Sequence, residues 1–437
     1  MNILLIGSGG REHALAWKMG QSPSLPRLYC APGNAGIGEI AELVPIKATD
    51  LDALLTFARE QSIDLTVVGP EQPLTQGIVD LFESNGLKIF GPSKAAAKIE
   101  GSKIFAKTFM KKYSIPTAEF RTFNVSQRFD AERYINEIPV PIVIKADGLA
   151  TGKGVTVCET KEQALEVLEL MMDKKVFGEA GTNVVIEEFL VGEEASVFAI
   201  TDGKDFVTLA PAQDHKRILD NDQGKNTGGM GAYAPTPIVD DEMLSKIKRT
   251  IIRPTLLGLA KEGHPYKGCL YVGLMITQTG PKVVEFNCRF GDPETQVVLP
   301  LLENDLVRLM LDAIEGRLSK TKIVMKKKTS ICVVIASGGY PDEYQTGKQI
   351  IGLDAVSSEP DVIVLHAGTK KEKDNIVTAG GRVLGVTALG AQDDLEGTID
   401  KAYRAVEKIT FDGAYYRSDI GKKGVDYLKR LQRVEVQ

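Results

Sequence analysis

The segment from Pro281 to Glu294, PKVVEFNCRFGDPE, places an acid, an amide and a guanidinium at alternate positions of a predicted strand. Successive side chains of a strand point to opposite faces, so Glu285, Asn287 and Arg289 should project together. Magnesium prefers oxygen ligands and often takes only one or two carboxylates, and a nearby guanidinium can hold a phosphoryl oxygen. The spacing is typical of a phosphate-bound cation site, although a simple polar strand end before the GDP turn would look the same.

Composition places the chain among ordinary globular proteins. It has 437 residues, of which 43% are hydrophobic and 25% charged, which leaves room for roughly two to four domains. The net charge of -5 disfavours nucleic-acid binding, which usually needs a basic surface. The apolar start MNILLIG is too short for a membrane span or a secretory signal. We therefore expect a cytoplasmic protein that binds neither nucleic acid nor membrane.

Cysteine and histidine are too scattered to indicate a metal cage or a catalytic triad. The five cysteines form no CxxC pair, and their odd number is typical of free thiols in a reducing compartment. The four histidines are not at the spacing of zinc ligands, nor do they suggest a serine or cysteine triad.

The first hundred residues alternate between short apolar segments and amphipathic ones, beginning with NILLIG and REHALAWKMG. This order predicts parallel strands joined by crossover helices. The glycines from Gly7 to Gly10 fall between the first strand and the first helix, where their amides can approach a phosphate. A dinucleotide site would need an acid at the end of the second strand, but CAPGN stands there. Tight packing of strand against helix remains the alternative for these glycines.

The segment PIVIKADGLATGKGVTV, residues 141–157, has the pattern of two strands joined by a glycine-rich turn. Lys145 would close the first strand, where it could pair with nucleotide phosphates while the turn folds its amides over them. The segment contains no GxxxxGK[ST] motif and is therefore not a Walker loop. A flexible hairpin with a solvated lysine is the alternative.

Three further segments are polar or rich in glycine. NVVIEEFLVGEEAS, residues 183–196, is an apolar strand that ends in carboxylates, a pattern found both in adenine-binding hinges and on ordinary surfaces. QDHKR, residues 213–217, and NTGGMGAY, residues 226–233, could bind a carboxylate or phosphate or could simply connect elements. His215 is interpreted as a base or, alternatively, as a solvated loop residue.

The motifs resemble a known family when they are taken in order along the chain. They are GSGGREHALAWK, APGNAG, VVGPEQPL, IFGPS, EGSK, IVIKADGLATGKGV, VIEEFLVGEEAS, QDHKR, NTGGMGAY, EFNCRFGDPETQ, SGGYP, LHAGT and GGRVLGVTALG. This order resembles the phosphoribosylamine–glycine ligases, also called glycinamide ribonucleotide synthetases. The resemblance extends from Met1 to about Gly424 and rests on the succession of long motifs.

The resemblance implies an α/β and α+β multidomain fold. A Rossmann-like N-terminal substrate domain would span residues 1–101 and an ATP-grasp domain residues 102–328, with a mobile lid subdomain at about 122–190. Residues 329–437 would form a small α+β domain, which we expect to be a cap because it has few convergent polar groups.

The implied reaction joins glycine to 5-phosphoribosylamine, with ATP as co-substrate and Mg²⁺ or Mn²⁺ as cofactor, in the second step of purine synthesis. The enzyme that makes phosphoribosylamine is a candidate transient partner. Two alternatives remain open: another ATP-grasp carboxylate–amine ligase or carboxylase of purine synthesis, and a nucleotide-binding regulator without turnover.

The resemblance also implies roles for individual residues. The expected ATP-binding residues are Lys103, Lys145, Gly148, Gly152, Lys153, Gly154, Glu187, Leu190 and Glu194. The expected metal ligands are Glu285 and Asn287. The expected catalytic residues, which are also candidates to hold glycine, are Arg289, Asp292 and Asp214. The residues expected to bind substrates are Gly9, Gly10, Pro32, Gly33, Asn34 and Glu71 for phosphoribosylamine, and Thr227, Gly228 and Gly229 for glycine.

One strand departs from the broader ATP-grasp pattern. Many ATP-grasp proteins supply a further acidic metal ligand from the strand before the Glu285 segment, but here that strand is LYVGLMIT, residues 270–277, without any acid. Glu285 and Asn287 are therefore expected to provide nearly all of the protein's metal ligands.

Overall fold

The N-terminal part of the chain forms a five-stranded parallel sheet with helices packed on it. The computed structural model describes residues 1–25, 27–148, 154–174, 176 and 178–435. The N-terminal elements are β1 (Asn2–Gly7), α1 (Gly10–Met19), β2 (Arg27–Pro32), β3 (Glu42–Leu43), α2 (Leu51–Glu60), β4 (Leu65–Val68), α3 (Glu71–Gln76), α4 (Ile78–Ser84) and β5 (Ile89–Phe90). The sheet order β3-β2-β1-β4-β5 confirms the predicted Rossmann-like arrangement of parallel strands and crossover helices.

Two helices connect this sheet to an antiparallel sheet that we call the lid sheet. The elements are α5 (Lys94–Gly101), α6 (Lys103–Lys112), β6 (Phe120–Asn124), α7 (Arg128–Glu137), β7 (Ile142–Ala146), β8 (Val155–Cys158), α8 (Lys161–Met172) and β9 (Asn183–Glu188). The strands lie in the order β6-β9-β7-β8. Side chains such as Ile144, Ile186 and Leu168 form the core between the sheet and its helices. Of the strand-turn-strand predicted at residues 141–157, the two strands are confirmed by β7 and β8, while residues 149–153 of the turn lie outside the described residues.

A second antiparallel sheet contains the strand with Glu285 and Asn287, which we call the acidic strand. The elements of this part are β10 (Glu193–Asp202), β11 (Phe206–Thr208), β12 (Gln213–Asp214), β13 (Arg217–Leu219), β14 (Gln223–Asn226), β15 (Gly231–Ala234), α9 (Asp241–Ile247), a π-helical turn (Lys248–Ile252), α10 (Arg253–Lys261), β16 (Lys267–Thr277), β17 (Gly280–Asn287), α11 (Glu294–Val298) and α12 (Leu306–Ile314). The sheet order is β11-β10-β16-β17. In the register of β16 and β17, Gly273 lies opposite Glu285 and Tyr271 opposite Asn287.

The C-terminal sheet includes strands from the middle of the chain. Its own elements are β18 (Lys328–Ser337), α13 (Leu353–Ser357), β19 (Val362–His366), β20 (Thr369–Glu372), β21 (Asn375–Thr378), β22 (Arg382–Ala391), α14 (Leu395–Val406), β23 (Ala414–Tyr415) and α15 (Lys422–Glu435). The order is β12-β15-β18-β22-β19, and β23 also pairs with β18. Because β15 follows the NTGG segment directly, the C-terminal sheet fixes the position of that loop. Within the described residues, no helix is long and apolar enough to cross a membrane.

Two histidines connect the N-terminal and C-terminal sheets. The backbone N–H of His366, at the end of β19, donates to Nδ1 of His13 on α1 at 2.7 Å, and the His366 ring lies 3.1 Å from Thr369 Oγ1. The side-chain amide of Asn34 donates to the carbonyl oxygens of Ser8 and His366, both at 2.8 Å. Burial lowers the pKa of His13 to about 3 and that of His366 to about 4. Both rings are therefore neutral in the folded protein at neutral pH.

Acid should weaken this junction. The unfolded chain, in which histidine has a pKa near 6.5, binds protons more readily than the folded protein, so stability falls as the pH drops from about 6.5 toward 4. His13→Asn keeps an acceptor near Nδ1 but cannot be protonated. Between pH 7 and pH 5 it should lose roughly 1–2 kcal/mol less stability than the wild type, as measured by urea denaturation.

The matched control is His264→Asn, which changes a histidine beyond the end of α10, where its backbone N–H bonds to Leu259. It should keep the acid sensitivity of the wild type. Equal loss of stability in His13→Asn and the wild type would contradict a role for the junction.

Candidate active site

A cleft of about 760 Å³ lies between the lid sheet and the sheet that carries β17, and its lining extends to residues of the N-terminal and C-terminal parts. The sequence-predicted residues that line it are Glu71, Lys103, Lys145, Gly148, Gly154, Glu187, Leu190, Glu194, Asp214, Thr227, Gly228, Glu285, Asn287, Arg289 and Asp292. Segments that are far apart in the sequence therefore meet at one cavity.

The end of β17 has the orientation expected from its alternation. Glu285, Asn287 and Arg289 line the cleft, and Arg289 donates from Nη2 to Asn287 Oδ1 at 3.4 Å. The intervening Phe286 and Cys288 belong to the hydrophobic core, and Phe286 also borders the cleft. Burial alone would raise the pKa of Glu285, but four neighbouring cations, led by Lys216, lower it below its usual value. Glu285 is thus kept as a carboxylate that faces the cavity.

The two lysines expected at the nucleotide phosphates both line the cleft. Lys103, the first residue of α6, donates to the carbonyl oxygen of Gly148 at 3.0 Å. Lys145 on β7 forms an ion pair with Glu187 and donates to the carbonyl oxygen of Val284 at 3.3 Å. This second bond joins the lid sheet to the strand that carries Glu285.

Two carboxylates of the segment 183–196, which we call the hinge segment, are paired with lysines. Glu187, 4% exposed, contacts both Lys145 and Lys107. Glu194 Oε2 lies 2.7 Å from Lys216 Nζ. The sequence analysis did not select Lys107 or Lys216, although both line the cleft. Two features of the sequence could have identified them. Lys107 follows Lys103 by four residues and so lies on the same helix face, and Lys216 is part of the QDHKR motif.

Arg289 is held between two carboxylates. Its Nε donates to Glu71 Oε2 at 3.2 Å, and its Nη2 lies 3.0 Å from Glu100 Oε1. The other oxygen of Glu100 accepts the backbone N–H of Cys288 at 2.6 Å. Glu100, which sequence analysis missed although it stands in the EGSK motif, therefore fixes both the arginine and the end of the acidic strand.

Asp214 is a buried carboxyl group on β12 that faces the cleft. Burial raises the pKa of Asp214 to about 8; Lys216 opposes the shift, and Glu294 is the first of three carboxylates that add to it. Glu294, also missed by the sequence analysis, accepts at Oε1 from Tyr271 Oη at 2.8 Å and from Ser196 Oγ at 3.1 Å. This end of the cleft therefore presents several carboxyl groups to an incoming cation or ammonium.

Asp292 contacts parts of the chain from both ends. Its Oδ2 accepts the backbone N–H of Arg11 at 3.3 Å, and its Oδ1 accepts from Gln296 Nε2 at 2.6 Å. Arg382 of β22 lies with Nη1 3.4 Å from Oδ1 and donates to the carbonyl oxygens of Asp292 and Gly228 at 2.9 and 2.5 Å. Arg382 also lines the cleft, so the C-terminal domain contributes directly to the site. The expectation of a cap with few polar groups missed this contribution.

The expected phosphoribosylamine residues of the N-terminal glycine loop do not line the cleft within the described part of the chain. Glu12 Oε2 accepts the amide N–H of Gly9 at 2.5 Å, and its side chain packs against Gly7 and Gly69. Outside the described lining are Gly9, Gly10, Pro32, Gly33, Asn34 and Gly229. Their roles stay predictions.

Three candidate residues remain, namely Gly152, Lys153 and His215. Gly152 and Lys153 lie outside the described residues. His215 is neither solvated nor in the described lining of the cleft: it is fully buried, and its Nε2 accepts the backbone N–H of Gly421 at 3.4 Å. Burial lowers the pKa of His215 to about 3, which disfavours the interpretation as a base at neutral pH.

Replacing Asp214 by asparagine should stabilise the protein without its ligands. A carboxyl group whose pKa is raised on folding, here from 3.8 to about 8, contributes less and less stability as the pH rises between these values. Asp214→Asn should therefore increase the free energy of unfolding at pH 7 by at least about 1 kcal/mol, and the gain should disappear near pH 4. Chemical denaturation at the two pH values measures it.

The control for this substitution is Asp374→Asn, in the exposed turn between β20 and β21. It should leave stability unchanged at both pH values. A destabilised Asp214→Asn protein at pH 7 would contradict the interpretation of Asp214 as a costly buried acid.

Comparison with known families divides the chain into three consecutive parts. Models of phosphoribosylglycinamide synthetase match with the N domain over residues 1–100, the ATP-grasp (A) domain over residues 101–295 and the C domain over residues 330–423. Phosphoribosylamine–glycine ligase from Caldanaerobacter subterraneus subsp. tengcongensis is 51% identical over 420 residues, 96% of this chain and 99% of that protein. The enzyme of that name from Haemophilus influenzae is 49% identical over 99% of this chain and 100% of its own.

Solved structures give the same result. The crystal structure of phosphoribosylamine–glycine ligase from Thermotoga maritima matches with a TM-score of 0.83 and 34% identity, over 96% of this chain and 100% of that one. The biotin carboxylase domain of Hydrogenobacter thermophilus 2-oxoglutarate carboxylase, solved with MgADP, has a TM-score of 0.73 at 16% identity over 95% of this chain and 91% of its own, a likeness of fold alone. The chain belongs to the phosphoribosylglycinamide synthetase family and has its ATP-grasp fold.

Proposed function

We propose that this protein joins glycine to 5-phosphoribosylamine at the expense of ATP, with glycyl phosphate as the intermediate and glycinamide ribonucleotide, ADP and phosphate as the products. The observation that carries the proposal is one cleft in which Glu285 and Asn287 meet Lys103 and Lys145. It stands in a chain about half identical to ligases of that name.

ATP is required by the chemistry of glycine's carboxylate, which is anionic and would have to expel oxide when attacked by an amine. A carboxylate oxygen of glycine attacks the γ-phosphorus of ATP and ADP leaves. The amine of phosphoribosylamine then attacks the carbonyl carbon, phosphate leaves, and the nitrogen gives up a proton. Such transfers depend mainly on positioning and on neutralisation of charge.

The proposed nucleotide site uses the two sides of the cleft. Lys103 and Lys145 would contact phosphates, and the turn between Gly148 and Gly154 would cover them. The carboxylate of Glu194 would accept hydrogen bonds from the ribose hydroxyl groups, and the backbone from Glu187 to Leu190 would contact adenine. The ion pairs of Glu187 support this placement because they hold the hinge and Lys145 together.

Mg²⁺ or Mn²⁺ fits the end of β17. Glu285 supplies a carboxylate held in its charged form by neighbouring cations, and Asn287, a buried residue, supplies an amide oxygen. Hard oxygen donors of this kind suit magnesium, which fills its remaining positions with phosphate and water. No group of three or more His, Cys, Asp or Glu side chains within the described residues is arranged to hold a metal alone. A bound Mg²⁺ would neutralise phosphate charge.

The glycine site is proposed at the carboxyl-rich end of the cleft. The ammonium of glycine would contact Asp214, and the amides of Thr227, Gly228 and Gly229 would meet its carboxylate. Arg289 would stabilise charge on the acyl phosphate. Asp292 is proposed to position this end of the site, because its carboxylate already has partners on Arg11, Gln296 and Arg382.

Phosphoribosylamine is proposed to reach the site from the N-terminal domain. Glu71, the first residue of α3, lines the cleft, and its ion pair with Arg289 would link the amine substrate to the acyl phosphate. The other proposed contacts are Gly9, Gly10, Pro32, Gly33 and Asn34. We further propose that the enzyme is cytoplasmic, that the enzyme that makes phosphoribosylamine contacts it transiently, and that the domain boundaries are 1–101, 102–328 and 329–437, with a mobile lid at about 122–190.

The reaction is tested by coupled measurement of ADP release. Release should require glycine and phosphoribosylamine together, and mass spectrometry should detect glycinamide ribonucleotide. ADP released equally fast with another amino acid, or without phosphoribosylamine, would refute the choice of substrates.

Glu285→Gln should fold normally and lose nearly all activity, since one metal-ligand charge is removed while the shape is kept. We expect kcat to fall by at least about 100-fold. The control is Glu60→Gln, at the exposed end of α2, which should behave as the wild type. A wild-type rate for Glu285→Gln in saturating magnesium would remove Glu285 from the metal site.

A further inference from the structure

Lys107 is a buried lysine with no role in the function proposed above. It lies on α6, one turn after Lys103, and is only 3% exposed. Its Nζ contacts Glu187 Oε2 and donates to Thr117 Oγ1 at 2.7 Å. Burial lowers the pKa of Lys107 to about 8, while Glu187 opposes the shift. A desolvated charge of this kind is costly and needs its partners.

The contacts of Lys107 form one continuous network between the lid sheet and β17. Thr117 Oγ1 donates to the carbonyl oxygen of Val283 at 2.7 Å, so Lys107 is tied to the strand that carries the metal ligands. On the other side, Glu187 Oε1 pairs with Lys145, which donates to the carbonyl oxygen of Val284 at 3.3 Å. The network therefore begins and ends at adjacent carbonyl oxygens, two and one residues before Glu285.

We propose that Lys107 is a positioning residue of the nucleotide site, which holds Glu187 so that Lys145 and the lid hinge keep their place above β17. With Lys107 on Oε2, the carboxylate offers Oε1 to Lys145, and the two ammonium groups leave the network one net positive charge. Without Lys107, both oxygens would turn to Lys145 and draw its ammonium from the phosphates. The inference rests on the proposed function for the identity of the nucleotide.

The position of Lys107 in the cleft supports a role in nucleotide binding. The lining of the cleft also contains apolar residues from three elements, namely Ala106 and Met110 of α6, Val143 of β7 and Val155 and Val157 of β8. Such a wall suits a purine ring. Lys107 and Glu187 line the same cleft as these apolar residues.

Lys107→Met tests the proposal because it keeps most of the volume and removes the charge. We expect the KM for ATP to rise about tenfold, while kcat changes less than about threefold and the KM for glycine less than about twofold. ATP binding followed by calorimetry should weaken by the same factor. The control is Lys112→Met on the same helix, where an exposed lysine pairs with Glu262; it should match the wild type.

The double variant Lys107→Met/Glu187→Gln separates positioning from simple loss of structure. It removes the negative charge of Glu187 together with the lysine, so that Lys145 is no longer drawn from the phosphates, and its KM for ATP should lie below the product of the two single effects. The proposal would be overturned if Lys107→Met lowered kcat and thermal stability but left the KM for ATP unchanged. It would also be overturned if the increase in KM of the double variant equalled the product of the two single increases. If the wild type shows no glycine-dependent ADP release, the proposed function fails, and the calorimetric comparison still decides the role of Lys107.

Discussion

The cleft depends on the pairing of buried charges. Ionised groups lose hydration when they are buried, and this loss is tolerated only when opposite charges and hydrogen bonds replace water. Glu187 has a lysine at each oxygen, and Arg289 has Glu71 and Glu100. Because each pair joins different secondary-structure elements, the same interactions that compensate the charges also fix the distances between the elements.

Asp292 forms similar contacts with the N-terminal and C-terminal parts of the chain. It accepts a backbone N–H from α1 and lies beside Arg382 of β22, whose Nη1 also holds the carbonyl oxygen of Gly228. Gly228 is further fixed because its N–H donates to Tyr340 Oη at 3.0 Å. The loop proposed for glycine thus takes its shape from the C-terminal domain, so that domain acts as part of the site and not only as a cover.

Sequence reasoning succeeded where local geometry determines direction. The alternation of β17 places Glu285 and Asn287 on one face whatever the rest of the fold does, and the alternating pattern of the first hundred residues predicts the parallel sheet. It failed where a role arises only from contacts between distant segments. Arg382 appears in the sequence as a polar residue at the start of a strand, and Lys107 as one of several lysines of α6; their partners, Asp292 and Glu187, lie about 80 to 90 residues away.

Asp214 is a carboxyl group of the cleft whose burial is not fully compensated by neighbouring charges. Burial raises the pKa of Asp214 to about 8 although Lys216 opposes the shift, and three neighbouring acids, Glu294, Glu194 and Glu285, add to it. Groups that serve a binding or active site can cost stability in the free protein. An ammonium or a metal ion that enters this end of the cleft would balance the negative charge there. Because binding would relieve the cost of burying Asp214, that relief would add to the affinity. Glu285 is the opposite case: neighbouring cations already balance its charge, and this excess of positive charge suits a metal ion that arrives together with the negative charge of a nucleotide.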